Sequence, residues 1–124
     1  MTLDIRVEER RPLTKTVVLE GRLDHESADM FDEAVGVVLG SDATVVVFDL
    51  AGLEYITSAG LRSIFRAQKA MTARGGKSLL LNPHPQVQKV LDIVRVAEVG
   101  SVFRNVQELD DYLDAMQKKV TRGD

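Results

Sequence analysis

The chain has 124 residues, 44% of them hydrophobic, which suffices for one globular domain whose core needs neither disulfides nor a structural metal. It contains no cysteine, which disfavours zinc and iron–sulfur sites, and it shows neither a secretory segment nor an apolar run long enough to cross a bilayer. A cytoplasmic location is therefore expected. The net charge of −3, with both signs mixed along the chain, and an aromatic content of 5% give little support to a nucleic-acid role.

The first forty residues predict two strands and a helix. Leu3, Ile5 and Val7 alternate with charged residues, as on a half-exposed strand, and Pro12 ends that run before a second strand at residues 16–19. Apolar residues then recur at helical spacing up to a glycine, so a helix with one buried face is expected. These residues are Ala28, Phe31, Ala34, Val35 and Val38, and the glycine is Gly40.

The middle of the chain predicts a strand-helix-strand unit. A fully buried strand is expected over residues 44–50, followed by a tight turn of small residues. A helix over residues 60–74 ends at Gly75-Gly76, and residues 78–81 form another buried strand. The two strands of such a unit are expected to be parallel and its crossover right-handed.

The last third predicts a helix, a short edge strand and a second helix. Pro85 can occupy the first position of the helix, whose apolar face ends at Val94. The edge strand is expected around Val102 and Phe103, and a disordered tail over residues 118–124. The C-terminal helix should pack on the sheet through Val106, Leu109, Tyr112, Leu113 and Met116.

Two patterns that suggest ligand binding fail on spacing. Residues 74–78, Arg-Gly-Gly-Lys-Ser, contain Gly-Lys-Ser, but Met71 stands where a phosphate-binding loop requires its first glycine, and the segment precedes a strand. A helix C-cap is the favoured interpretation. His25 and His84 have no partner at metal-ligand spacing, so no metal site is predicted.

Ser58 is the most informative residue because it lies between the buried strand and the start of a helix. In one interpretation it is only the helix N-cap, where its hydroxyl accepts a backbone N–H and stabilises the helix by about 1 kcal/mol. In another, an exposed hydroxyl at the positive end of a helix is a favourable place for a phosphoryl group, which brings about −1.5 to −2 charges. Thr57 offers a competing hydroxyl, and the local sequence does not choose between the two.

Catalysis is disfavoured, although the sequence alone leaves a small hydrolase open. Ser58, His84 and Asp49 supply the residue types of a triad, but no Gly-x-Ser-x-Gly elbow frames the serine. Asp24 and Glu54 could form an acid–base pair, yet acidic residues in turns are usually solvated or capping groups. The chain is therefore not expected to be an enzyme.

Three stretches, in order, resemble the STAS family, the small domain of bacterial anti-sigma factor antagonists. Residues 19–24, Leu-Glu-Gly-Arg-Leu-Asp, look like the family's strand and Gly-x-Leu-Asp turn. Residues 48–61 resemble its signature loop, which carries the phosphorylated serine, and the segment from Gly75 to Leu91 matches its second half. The resemblance implies one STAS domain over residues 1–124, with its core at residues 3–117. Its α/β fold would be a mixed sheet of four or five strands with about four helices mainly on one side.

The resemblance also implies a partner switch. In the family, the unmodified antagonist binds an anti-sigma factor with a histidine-kinase-like fold and thereby frees a sigma factor. That kinase uses its own ATP to phosphorylate the serine, and a serine phosphatase resets the switch. No cofactor, nucleic acid or membrane insertion is implied for this chain, which would be a monomer or weak dimer. The alternative is a STAS subunit of a lipid transport or signalling complex, with no sigma factor involved.

Site residues follow from the resemblance by position. Ser58 takes the phosphoserine place in preference to Thr57, and Asp24 takes the place of the turn acid that lies beside it. Arg62 and Arg66 lie one and two turns after the serine and either face a partner or simply solvate the helix, with solvation favoured. The partner surface would consist of Asp24, Tyr55, Ile56, Thr57, Ser58, Ala59, Gly60 and Arg62.

Overall fold

The computed structural model describes residues 3–93, 101–103 and 105–121. Its strands are β1 (Leu3–Arg11), β2 (Thr14–Leu23), β3 (Val45–Ile56), β4 (Lys77–Leu81) and β5 (Ser101–Phe103). Its helices are α1 (Ala28–Leu39), α2 (Ser58–Ala73), α3 (Pro85–Ile93) and α4 (Val106–Thr121). No helix within these residues is long and apolar enough to span a membrane.

The five described strands form one mixed sheet in the order β1-β2-β3-β4-β5. β1 and β2 are an antiparallel pair, whereas β2, β3, β4 and β5 run parallel. Parallel neighbours need a crossover, and α1 and α2 provide two consecutive ones. The carboxyl ends of β2 and β3 and the amino ends of α1 and α2 therefore meet at one edge of the sheet.

The sheet separates two apolar clusters. The larger includes the fully buried Phe31 of α1, Ile64 of α2 and Leu91 of α3. The smaller lies on the opposite face, where Leu109 and Leu113 of α4 pack against the strands. Three of the four described helices thus cover one face, which confirms the predicted fold class of a mixed sheet with helices mainly on one side.

β3 is longer than predicted, because it continues past Leu50 to Ile56. The prediction of a tight turn directly after Leu50 is therefore wrong. Between Asp49 and Tyr55, β3 contains two more residues than the stretch of β2 that it pairs with. Such bulges break the two-residue alternation of buried side chains, so this half of the strand does not show the expected pattern. Beyond Asp49, whose partner Leu81 ends β4, β3 pairs with β2 alone among the described strands.

The glycine pair after α2 ends the helix. Gly75 has a left-handed backbone, with φ of 79°, and the N–H of Gly76 donates to the carbonyl oxygen of Met71 at 2.8 Å. This geometry satisfies a free carbonyl at the end of a helix, so the C-cap interpretation of residues 74–78 is confirmed.

The C-terminal elements follow the predicted order. Pro85 is the first residue of α3, and β5 is the predicted short edge strand. α4 packs on β3, β4 and β5, and its Asp114 carboxylate lies 2.8 Å from Nη2 of Arg11, the last residue of β1. The helix reaches Thr121, within the segment predicted to be a disordered tail, whereas residues 122–124 and Val94 lie outside the described residues.

Candidate functional site

The junction between β3 and α2 gives its two hydroxyls different roles. Thr57 has an extended backbone, with φ of −105° and ψ of 176°, and its Oγ1 accepts the N–H of Gly60 at 3.4 Å. Thr57 is therefore the N-cap of α2, and the interpretation that Ser58 caps the helix is wrong. Ser58 is the first helical residue, its side chain is exposed, and its hydroxyl makes no hydrogen bond to another described residue.

Gly60 sets how closely α2 approaches the ends of β2 and β3. A Cβ atom at this position would lie 2.5 Å from the carbonyl oxygen of Leu23 and 3.1 Å from Cγ1 of Ile56. Only glycine fits such an approach without a shift of backbone. The same two strand ends are joined by the N–H of Thr57, which donates to the Leu23 carbonyl at 3.0 Å. Ser58 consequently stands on a closely packed support.

Asp24 lies directly after β2, at the same edge of the sheet as Ser58. Its Oδ1 accepts the backbone N–H of Glu26 at 3.0 Å and of Ser27 at 3.1 Å, so the carboxylate organises the turn into α1. Desolvation is the largest single influence and by itself raises the pKa of Asp24. The hydrogen bonds from Ser27 and Glu26, together with the charge of Arg22, outweigh it, and the pKa falls below its ordinary value.

Arg22 also lies at this edge of the sheet, although the sequence analysis did not predict it as a site residue. Its guanidinium lies 4.4 Å from the centroid of the Tyr55 ring, and its Nε is 3.7 Å from Asp24 Oδ2. Arg22 and Tyr55 are direct neighbours across β2 and β3 only because of the extra residues in β3. If β2 and β3 were aligned only by their alternation of buried and exposed residues, Arg22 and Tyr55 would not be partners. Their contact could therefore not be predicted from the sequence.

The structure divides the predicted surface residues by exposure. Tyr55, Ser58 and Arg62 are exposed, whereas Asp24, Thr57 and Ala59 are partly buried. Ile56 and Gly60 are buried behind them and support the surface.

The two arginines of α2 differ in their contacts. Arg66 Nη2 lies 2.7 Å from the Asp32 carboxylate, which ties α2 to α1. Arg62 is exposed, one turn beyond Ser58 on the same helix face, and forms no ion pair with the described part of the chain.

A catalytic triad is not assembled at Ser58. Asp49 precedes Ile56 by seven residues on β3. At a rise of about 3.3 Å per residue, it lies roughly 20 Å from the end of β3. The ring of His84 is engaged locally, since its Nδ1 accepts the N–H of Gln86 at 3.4 Å. His84 and Asp49 therefore do not form a triad with Ser58, whose side chain is exposed.

Comparison with known proteins places this arrangement in a family. Residues 4–109 match the family model described as the STAS domain. A curated relative, the anti-sigma F factor antagonist of Paenibacillus polymyxa, is 28% identical over 109 residues, which cover 85% of this chain and 90% of the relative.

Two solved structures share the fold. The anti-sigma factor antagonist SpoIIAA in its unphosphorylated form is 21% identical, with a TM-score of 0.75 over 90% of this chain and 97% of that one. The Bacillus cell fate determinant SpoIIAA in its phosphorylated form is also 21% identical, with a TM-score of 0.71 over 89% of this chain and 99% of that one. Since the family model covers most of the sequence, the chain belongs to the STAS domain family.

Proposed function

We propose that this chain is an anti-sigma factor antagonist, a binding protein that engages a kinase-type anti-sigma factor through the start of α2. The name of the Paenibacillus relative, which aligns with 85% of the chain, supports this over a role in a transport complex. The observation that carries the proposal is the state of Ser58. Its hydroxyl is exposed at the first helical position and uncommitted among the described residues, because Thr57 caps the helix.

The start of α2 suits a phosphoryl group on Ser58. The amino end of a helix carries roughly half a positive charge, and the first turn of α2 contains no acidic residue. Arg62 lies one turn further on the same face and is exposed. A negative charge at such a position typically stabilises a helix by about 0.3–1 kcal/mol, so the modified domain stays folded.

The same modification opposes a partner that packs closely on this surface. Asp24 is ionised at neutral pH, since its pKa lies below an ordinary value of 3.8. A phosphoryl group adds about −1.5 to −2 charges at the same edge of the sheet. The partner must then accommodate both the added volume and the added negative charge, which favours release.

The proposed cycle combines these two effects with the partner switch that the family resemblance implies. The unmodified chain binds the anti-sigma factor and frees a sigma factor, with Tyr55, Ser58 and Arg62 as direct contacts and Asp24, Thr57 and Ala59 at their border. Ile56 and Gly60 hold this surface in place. The kinase transfers the γ-phosphoryl group of its bound ATP to the Ser58 hydroxyl and leaves ADP, and a serine phosphatase hydrolyses the phosphoester, which restores the hydroxyl and releases phosphate. A cytoplasmic location is part of the proposal, since sigma factors act on RNA polymerase there.

The experiment is a phosphorylation assay that separates the two hydroxyls. Kinase-type anti-sigma factors encoded in the same genome are incubated with the chain and ATP, and phosphate is located by mass spectrometry. We expect one phosphate at Ser58, full loss of it in Ser58→Ala, and its retention in Thr57→Ala. Absence of phosphate on Ser58 with every such kinase, or modification of Thr57 instead, would contradict the proposal.

A further inference from the structure

The outer edge of β1 is open. β1 is the first strand of the sheet, and among the described residues none pairs with its outer side. It is nine residues long, whereas exposed edge strands are usually kept very short or covered. Its first part, from Leu3 to Glu8, is regular, and a bulge follows at Glu9 and Arg10, which together oppose Lys15.

The side chains of the regular part divide into an apolar and a charged face. Leu3 is buried in the larger cluster, Ile5 packs against it, and Val7 is 45% exposed on the same side. Asp4 and Arg6 are exposed on the other side.

Asp4 stands in an unfavourable position in the single chain. It lies directly opposite Glu20 on β2, and like charges in such cross-strand pairs are destabilising. Asp4 has no ion pair with a described residue. Arg6 instead contacts Glu20 and Glu8, at 3.3 Å each. A cation opposite Asp4 on the outer side of β1 would offset the repulsion between Asp4 and Glu20.

We propose that the edge of β1 pairs with β1 of a second copy, antiparallel and centred on Ile5. In this register Leu3 faces Val7 of the second copy, and the two Ile5 side chains face each other, so that one side of the new pair is entirely apolar. On the other side Asp4 faces Arg6 of the second copy, and Arg6 faces its Asp4. The two sheets join into a continuous ten-stranded sheet related by a two-fold axis.

Neighbouring registers lack this complementarity. Centring the pair on Arg6 places two arginines opposite each other and Asp4 opposite Glu8. Centring it on Val7 extends the pairing into the bulge at residues 9–10. The match is therefore specific to one alignment of the strand with itself, and its short length makes the dimer weak.

The test is analytical ultracentrifugation with reciprocal charge variants. From about 10 µM to about 1 mM, we expect the weight-average mass of the unmodified chain to rise from 13.7 kDa toward twice that value. Asp4→Arg and Arg6→Asp each place like charges opposite one another, so each alone stays monomeric, while an equimolar mixture of the two forms a heterodimer. Asp42→Arg, an exposed aspartate in the turn after α1, is the matched control and dimerises like the unmodified chain.

Circular dichroism shows whether each variant is folded. We expect both to fold, because Asp4 and Arg6 are exposed. A chain that remains monomeric throughout the concentration range would overturn the proposal. A dimer that survives Asp4→Arg, or two variants that do not associate when mixed, would equally overturn it. None of these outcomes depends on the function proposed for Ser58.

Discussion

Adjacent hydroxyls at the start of α2 have separate tasks. Thr57 Oγ1 accepts a backbone N–H of the first turn, while the Ser58 hydroxyl points to solvent. The sequence placed a hydroxyl at this joint but could not assign the cap, because Ser and Thr are both good N-caps. The choice is made by the backbone, which leaves the extended conformation only after Thr57.

This division predicts different stability effects. Thr57→Ala removes the cap and should lower the free energy of unfolding by about 0.5–1 kcal/mol, the lower part of the range for cap losses because the bond is long at 3.4 Å. Ser58→Ala should change it by less than about 0.5 kcal/mol, as is usual for exposed residues. Urea denaturation measures both. A larger loss for Ser58→Ala than for Thr57→Ala would show that Ser58 is the cap.

Asp24 should contribute to stability in a pH-dependent way. Because its pKa is lower in the folded chain than its ordinary value of 3.8, its contribution is fully present above that value and is lost as the pH falls through the native pKa. Asp24→Asn should therefore be less stable than the unmodified chain at pH 7, with the gap narrowing below about pH 4. Denaturation curves at several pH values test this, and a gap that widens toward acid would contradict it.

At the scale of elements, α2 is fixed to the strand ends by Gly60. Gly60→Ala places a Cβ atom 2.5 Å from the Leu23 carbonyl oxygen and should cost about 1–3 kcal/mol of stability, as overpacking does. It should also weaken partner binding, because the first turn of α2 must move. Urea denaturation and a binding titration report the two effects.

Gly36→Ala is the matched control for this substitution. Gly36 lies inside α1, and a Cβ atom there would meet nothing within 4 Å. The change should therefore raise stability by about 0.5–1 kcal/mol, the difference in helix propensity. If both variants were equally stable, the close approach of α2 to Leu23 would not constrain the fold.

Regular periodicity allowed α1 to be predicted from the sequence, whereas the irregular second half of β3 could not be predicted. α1 shows the helical spacing of its buried residues directly, and the predicted end at Gly40 agrees with the structure. β3 was predicted only to Leu50, because the extra residues after Asp49 bury Leu50, Leu53 and Ile56 at intervals of three. The Arg22–Tyr55 contact depends on the same irregularity and was missed with it.

At the scale of the whole molecule, the sheet and its two apolar clusters support the candidate site at the start of α2, and the buried clusters contribute no exposed contact to it. Ser58 lies at the edge where β2 and β3 end, and Gly60, two residues further on, packs closely against the buried Leu23 and Ile56. A phosphoryl group can therefore be added and removed at an exposed position with no rearrangement of the core. In the proposed function, phosphorylation of Ser58 therefore changes the affinity for the partner and leaves the fold intact.

The most direct test of this account is the affinity for the anti-sigma factor before and after phosphorylation at Ser58. Isothermal titration calorimetry compares the unmodified chain with the same chain carrying phosphate at that residue, and urea denaturation confirms that both are folded. We predict that phosphorylation raises Kd at least about tenfold, equivalent to about 1.4 kcal/mol, with no loss of stability. Equal Kd values for the two forms would contradict the account.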